Sequence, residues 1–135
     1  MHLLLVESDA AASGLRQALE QQMPNIRIVS AGNGNEALEI LFAGEAARPC
    51  LVLMDLDLPG KDGREVLAEI KANPNLKHIP VIVMTASSYE QDILRSYQLY
   101  ANCYITKPSE LNQYNQTIQA IENFWLTCVH LPAKS

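Results

Sequence analysis

The stretch LVLMDLDLPGKDG occupies residues 51–63. Leu51 to Met54 are apolar without alternation, which describes a strand covered on both faces, the mark of a central strand in a parallel sheet. The run ends directly in Asp55, with Asp57 and Asp62 close behind. A buried strand that ends among carboxylates calls for positive charge, since two carboxylates about 4 Å apart repel by roughly 4 kcal/mol at an effective dielectric of 20.

Working outward, short β-rich runs alternate with longer helical patterns. HLLLV (His2–Val6) is a first strand, and AASGLRQALEQQ (Ala11–Gln22) a helix with Leu15 and Leu19 four apart. IRIV (Ile26–Val29) alternates as an edge strand should, and NEALEILFAG (Asn35–Gly44) is a helix with Gly44 placed to end it. CLVLM (Cys50–Met54) is the third strand, REVLAEIKA (Arg64–Ala72) a helix stopped by Asn73-Pro74, and PVIVM (Pro80–Met84) the fourth strand. YEQDILRSYQLY (Tyr89–Tyr100) is helical, NCYI (Asn102–Ile105) the fifth strand, and a last helix begins near Ser109-Glu110 and keeps an apolar stripe to Trp125. Strict β/α alternation means a doubly wound α/β fold, with a parallel sheet, right-handed crossovers and helices on both faces.

Sites in such sheets form beyond the carboxyl ends of the strands, where strand order reverses. The residues there are Glu7-Ser8-Asp9, Asp55, Thr85-Ala86 and Thr106-Lys107-Pro108. Glu7 and Asp55 on neighbouring strands suit a hard divalent cation. Mg²⁺ takes oxygen ligands and is held by one or two carboxylates plus a phosphate. The backbone carbonyl of Asp57 is a further ligand candidate. Lys107 supplies a point charge for a phosphate oxygen, and Thr85 a hydroxyl. Together they describe a phosphoryl group on Asp55, a carboxylate nucleophile of known type.

Composition narrows the surroundings. The chain has 135 residues, 48% of them apolar, and a net charge of −5, which argues against a nucleic-acid surface. Cys50, Cys103 and Cys128 are far apart, without a zinc-type spacing. No apolar run approaches the ~18 residues of a membrane span, and Leu3–Val6 is too short for a signal peptide, so a cytoplasmic setting is expected.

These residues resemble those of the response-regulator receiver domains of two-component signalling, and the likeness runs through nearly the whole chain. Asp55 matches that family's phosphoacceptor, DLDLPGKDG its acidic loop, Thr85-Ala86 the switch threonine and its small neighbour, and Tyr104 the switch aromatic. Lys107-Pro108 matches the family's lysine and the proline that follows it through a cis peptide bond. DGREVLAEIK (Asp62–Lys71), ANCYITKP (Ala101–Pro108) and FWLTCVHLP (Phe124–Pro132) are similar to the stand-alone regulators that work with phytochrome kinases. The resemblance implies a flavodoxin-like (βα)5 fold with strand order 2-1-3-4-5. Residues 1–135 would form one receiver domain, with 124–135 as the end of the last helix and a tail. It also implies Mg²⁺ as cofactor and a histidine kinase, such as a phytochrome, as phosphoryl donor.

Two positions depart from the family's pattern. Ser8 stands where a second metal-binding acid is usual, so weaker Mg²⁺ binding is expected unless Asp9 swings in. Tyr100 stands where a left-handed helix end favours glycine, at a cost of roughly 1 kcal/mol. Tyr97, Tyr100, Phe124 and Trp125 are candidate interface residues, because aromatic side chains are enriched at interfaces.

The expected function is a phosphoryl-accepting switch, not an enzyme in the usual sense. In it Thr85 moves toward the phosphoryl group and Tyr104 turns inward, reshaping the surface of helix 4, strand 5 and helix 5. Only 28 residues follow Lys107, so output through protein contact and a homodimer on that surface and the tail are expected. Two alternatives stay open: a pseudo-receiver, an interaction module rarely phosphorylated because of Ser8, and a Mg²⁺-dependent phosphatase with Asp57 as general acid.

Overall fold

The computed structural model describes residues 2–8, 14–44, 48–108 and 111–128. Five strands, β1 (His2–Val6), β2 (Arg27–Ala31), β3 (Leu51–Met54), β4 (Val81–Thr85) and β5 (Cys103–Thr106), form one parallel sheet in the order β2-β1-β3-β4-β5. Helices α1 (Leu15–Gln22), α2 (Gly34–Phe42), α3 (Gly63–Ala72), α4 (Glu90–Gln98) and α5 (Leu111–Ile121) alternate with the strands, and α5 continues as a π-helical segment, Glu122–Cys128. The strand order reverses at β1/β3, so this is the doubly wound architecture expected from the alternation, in the flavodoxin-like order that the resemblance implied.

The central strands are buried at every residue, as their unbroken apolar runs require. Successive side chains leave opposite faces, and they sort into two cores. Leu4, Val6, Val52, Met54, Val81 and Val83 pack with α2 and α3, while Leu3, Leu5, Leu51, Leu53, Ile82 and Met84 pack with α1 and α5. Trp125 lies against the second core together with Tyr114. α4 is the exception. Of its residues only Ser96 is fully buried, and Leu94 and Tyr97 stand exposed.

Helix ends follow local chemistry. The side chain of Asn33 accepts the Glu36 N–H at the start of α2, and Asp62 accepts the Arg64 N–H at the start of α3. α3 ends at Asn73, before Pro74. β2 lies slightly later than its alternation suggested, because the Ile26 N–H turns back onto the Met23 carbonyl and pairing with β1 begins at Arg27. The start of the α1 pattern (residues 11–13) and Ser109-Glu110 lie outside the described residues, as do residues 129–135 of the tail.

The helix end at Tyr100 is left-handed, with φ 70°. The Ala101 N–H reaches the Ser96 carbonyl at 3.0 Å and the Tyr100 N–H the Tyr97 carbonyl at 2.9 Å, the paired bonds of a Schellman ending. A tyrosine thus occupies the position at which glycine is least strained.

Candidate functional site

Each polar residue of the site sits at or just past the end of a strand, fixed there by one more rung of the sheet ladder. The Glu7 N–H donates to Ala31 O, the Asp55 N–H to Val6 O and the Lys107 N–H to Thr85 O, at 3.1, 2.9 and 2.7 Å. Thr85 is itself the last residue of β4 and fully buried. Topology therefore delivers four side chains from four adjacent strands, β1-β3-β4-β5, to one rim.

Lys107 is the positive charge that the acidic strand end calls for. Its Nζ lies 2.8 Å from Asp55 Oδ2 and 3.4 Å from Glu7 Oε2. The three side chains are 10%, 7% and 4% exposed, so this contact runs in a sheltered pocket where Coulomb forces are little screened. Asp55 Oδ1 accepts the Asp57 N–H at 3.1 Å, which folds the loop back over the carboxylate. The loop is pinned from beneath by Gly63, whose N–H donates to Leu56 O at 3.0 Å. A Cβ at Gly63 would come within 2.5 Å of the Asp55 carbonyl oxygen, so α3 packs directly on this loop.

The charges are not balanced evenly. Burial pushes the Glu7 carboxyl above its ordinary range, and the neighbouring Asp55 adds to this, while Lys107 only partly offsets it. Burial also opposes the Lys107 ammonium, but its hydrogen bond and charge contacts with Asp55 and Glu7 prevail and raise its pKa. Glu7 Oε1 and Thr85 Oγ1 are buried and without a hydrogen-bond partner. Orphaned buried polar atoms are costly, and here they mark a pocket made to receive something.

A hard divalent cation fits that donor set. Glu7 Oε1 is an unclaimed carboxylate oxygen beside a second carboxylate, Asp55, and oxygen donors of this kind are what Mg²⁺ takes. Among the described residues, no group of three or more His, Cys, Asp or Glu side chains gathers at metal-binding distance. A cation here would be held by Glu7 and Asp55, with its remaining ligands to come from a backbone carbonyl such as that of Asp57 and from water. Asp9 lies outside the described residues. Ser8 is half-buried and, with Asp57, Ser30, Gly32, Asn33, Glu36 and Pro59, lines a cavity of about 670 Å³.

One expectation is corrected. Every peptide bond among the described residues is trans, including Lys107–Pro108. The trans form is the lower-energy isomer of an X–Pro bond by roughly 0.5–1 kcal/mol, and Lys107 reaches Asp55 with the bond in that form.

Tyr104 is half-buried against the first core, and its hydroxyl donates to the Ser87 carbonyl at 2.9 Å. Its backbone N–H donates to the Tyr97 hydroxyl at 3.2 Å. Tyr100 and Phe124 are 74% and 55% exposed, whereas Trp125 is partly buried and meets Phe124 edge-to-face at 5.6 Å. The four aromatic interface candidates thus divide. Tyr97, Tyr100 and Phe124 face outward, and Trp125 belongs in part to the core.

The sequence alone did not single out Arg64 and Asp92. Arg64 bridges Asp62 and Asp92, tying α3 to α4. A signal was present, since a cation in the first turn of a helix opposes the helix dipole and needs an acidic partner.

The family model described as the response regulator receiver domain matches residues 3–119 of the chain. The response regulator Rcp1 of Synechocystis sp. is 46% identical over 97% of this chain and 92% of its own length. Among solved structures, the phosphorylated cyanobacterial phytochrome response regulator RcpA superposes with a TM-score of 0.89 at 46% identity, covering 98% of both chains. The Mn²⁺-bound form of Rcp1 superposes at 0.86 and 41% identity, covering 97% of this chain and 99% of that one.

Proposed function

Because the chain belongs to the response regulator receiver domain family, we propose that it is a phosphoryl-accepting switch in which Asp55 takes the phosphoryl group. The observation that carries this reading is the 2.8 Å contact between Lys107 Nζ and Asp55 Oδ2 in a pocket that also holds Glu7. An Asp55 oxygen attacks the phosphorus of a kinase phosphohistidine. The P–O bond forms as the P–N bond breaks, and the imidazole leaves with the electron pair and takes up a proton. Lys107 neutralises the phosphoryl oxygens, and the unpartnered Thr85 hydroxyl donates to one of them. A divalent cation held by Glu7, Asp55 and the Asp57 carbonyl supplies the remaining charge neutralisation when bound. A Mn²⁺-bound form of the similar Rcp1 supports a divalent cation at this site.

Phosphorylation adds close to two negative charges and strong acceptor oxygens, and the surface of α4, β5 and α5 is the part that responds. The likeness to a phytochrome response regulator supports a histidine kinase of the phytochrome type as the donor. The exposed Leu94, Tyr97, Tyr100 and Phe124 support a contact between two copies on this side of the chain. Among the described residues no helix is long and apolar enough to cross a membrane. With the net charge of −5, this favours a cytoplasmic protein whose output is protein contact and not nucleic-acid binding. In this reading residues 1–135 act as one receiver domain that is a signalling module and not an enzyme in the usual sense.

Ser8 favours a second reading, an interaction module that is seldom phosphorylated. Incubation with acetyl phosphate and Mg²⁺ separates the two. The switch reading expects one added phosphoryl mass, labile to base and absent in Asp55→Asn. No adduct on the natural chain, with one appearing in Ser8→Asp, would replace the switch by the interaction module.

A further inference from the structure

Arg64 is the second residue of α3, where the helix dipole disfavours a cation. Its guanidinium nevertheless stays between two acids. Nη1 lies 3.2 Å from both carboxylate oxygens of Asp62, and Nη2 lies 2.6 Å from Asp92 Oδ1 on α4. The other Asp92 oxygen accepts the Ser87 hydroxyl at 2.5 Å, in the loop between β4 and α4. The Ser87 carbonyl in turn receives the Tyr104 hydroxyl at 2.9 Å, and the Tyr104 N–H donates to the Tyr97 hydroxyl at 3.2 Å. Asp62 caps the helix that packs on the Asp55 loop, so a continuous polar path runs from that loop to β5.

The electrostatics agree with a tight bridge. Hydrogen bonds from Ser87 and Arg64 hold the Asp92 carboxyl below its ordinary range. Burial opposes the Arg64 charge, yet the contacts with Asp92 and Asp62 raise its pKa. Arginine suits the position because its planar fork engages two carboxylates at once, which the point charge of lysine does not.

We infer that Arg64 is a positioning residue: its bridge to Asp92 fixes the β4–α4 loop so that the Tyr104 hydroxyl stays on the Ser87 carbonyl, and so sets how readily Tyr104 responds to an event at Asp55. The second half rests on the switch reading above; the first half concerns the free protein and does not.

The test is fluorine NMR of the full chain labelled with 3-fluorotyrosine, with the Tyr104 signal assigned from Tyr104→Phe. Arg64→Gln and Asp92→Asn each move that signal toward the position of exposed tyrosines. The displaced ring population rises roughly twofold to fivefold, the range a partly exposed ion pair supports. The double variant moves it no further, because both changes remove one shared interaction. Arg64→Lys falls between natural and Gln. A Tyr104 signal that stays put in Arg64→Gln, or in Arg64→Lys should the former not fold, overturns the inference. Beryllofluoride with Mg²⁺ is added only afterwards. Failure of that probe to bind in the natural chain would overturn the phosphoacceptor reading while leaving the Arg64 result intact.

Discussion

Glu7 has too few partners in the pocket for a charged carboxylate. One oxygen meets Lys107 at 3.4 Å, the other is buried without a partner, and burial is the largest influence on its carboxyl, outweighing Lys107. Its proton is therefore held more tightly in the folded chain than in the unfolded one, and stability falls as pH climbs from 4.5 through the folded-state value. Glu7→Gln removes that effect. In the absence of metal near neutral pH the variant unfolds at higher urea, by about 1 kcal/mol or more, the scale on which an unsatisfied buried acceptor costs stability. The gap closes at acid pH below 4.5, where Glu7 is protonated in both states. Added Mg²⁺ stabilises the natural chain and not the variant. A less stable variant at neutral pH would mean that the Lys107 contact outweighs burial. Glu7, Asp55, Thr85 and Lys107 were legible in the sequence, because each follows an apolar run and strand ends in a parallel sheet share a rim. The Arg64–Asp92 bridge was not, because its two ends lie 28 residues apart on helices whose meeting no local pattern reveals. The trans Lys107–Pro108 bond was misjudged, because its cis form came from the resemblance and not from local chemistry.

At the scale of elements, the sheet was the readable part. The unbroken apolar run of β3 marked it as central, while the reversal at β1/β3 came from the resemblance and not from the alternation. Element ends were harder. β2 shifted because a turn claimed the Ile26 N–H, and the continuation of α5 as a π-helical segment leaves no sequence signature. The end of α4 is the most testable of these. Tyr100 holds φ 70° while 74% exposed, so its ring returns little packing for the strain. Tyr100→Gly is expected to raise the stability of the monomeric chain by about 1 kcal/mol, read as a higher urea midpoint with unchanged slope. A lower midpoint would show that the ring contributes more to the fold than its exposure suggests.

At the scale of the molecule, α1 and α5 close one face of the sheet and α2 and α3 the other, leaving α4 with Leu94 and Tyr97 exposed. The sequence hinted at this through clustered tyrosines but could not say which of them were core. Trp125 packs in part against the second core, so shortening the chain at its end would test stability and association together. Leu94→Asp with Phe124→Asp is cleaner, because both side chains are exposed, at 60% and 55%. Sedimentation should show a dimer for the natural chain and a monomer for this variant, and an unchanged mass would place the contact elsewhere. On the proposed switch, a phosphoryl charge on Asp55, met by Lys107 and Thr85, is transmitted to β5 and α4. Amide NMR during titration with beryllofluoride and Mg²⁺ follows that transmission residue by residue. Signals of residues 55–57, 85–87 and 104 should shift together and saturate at one equivalent, while the α1 signals stay in place. Shifts confined to residues 55–57, or none at all, would contradict it.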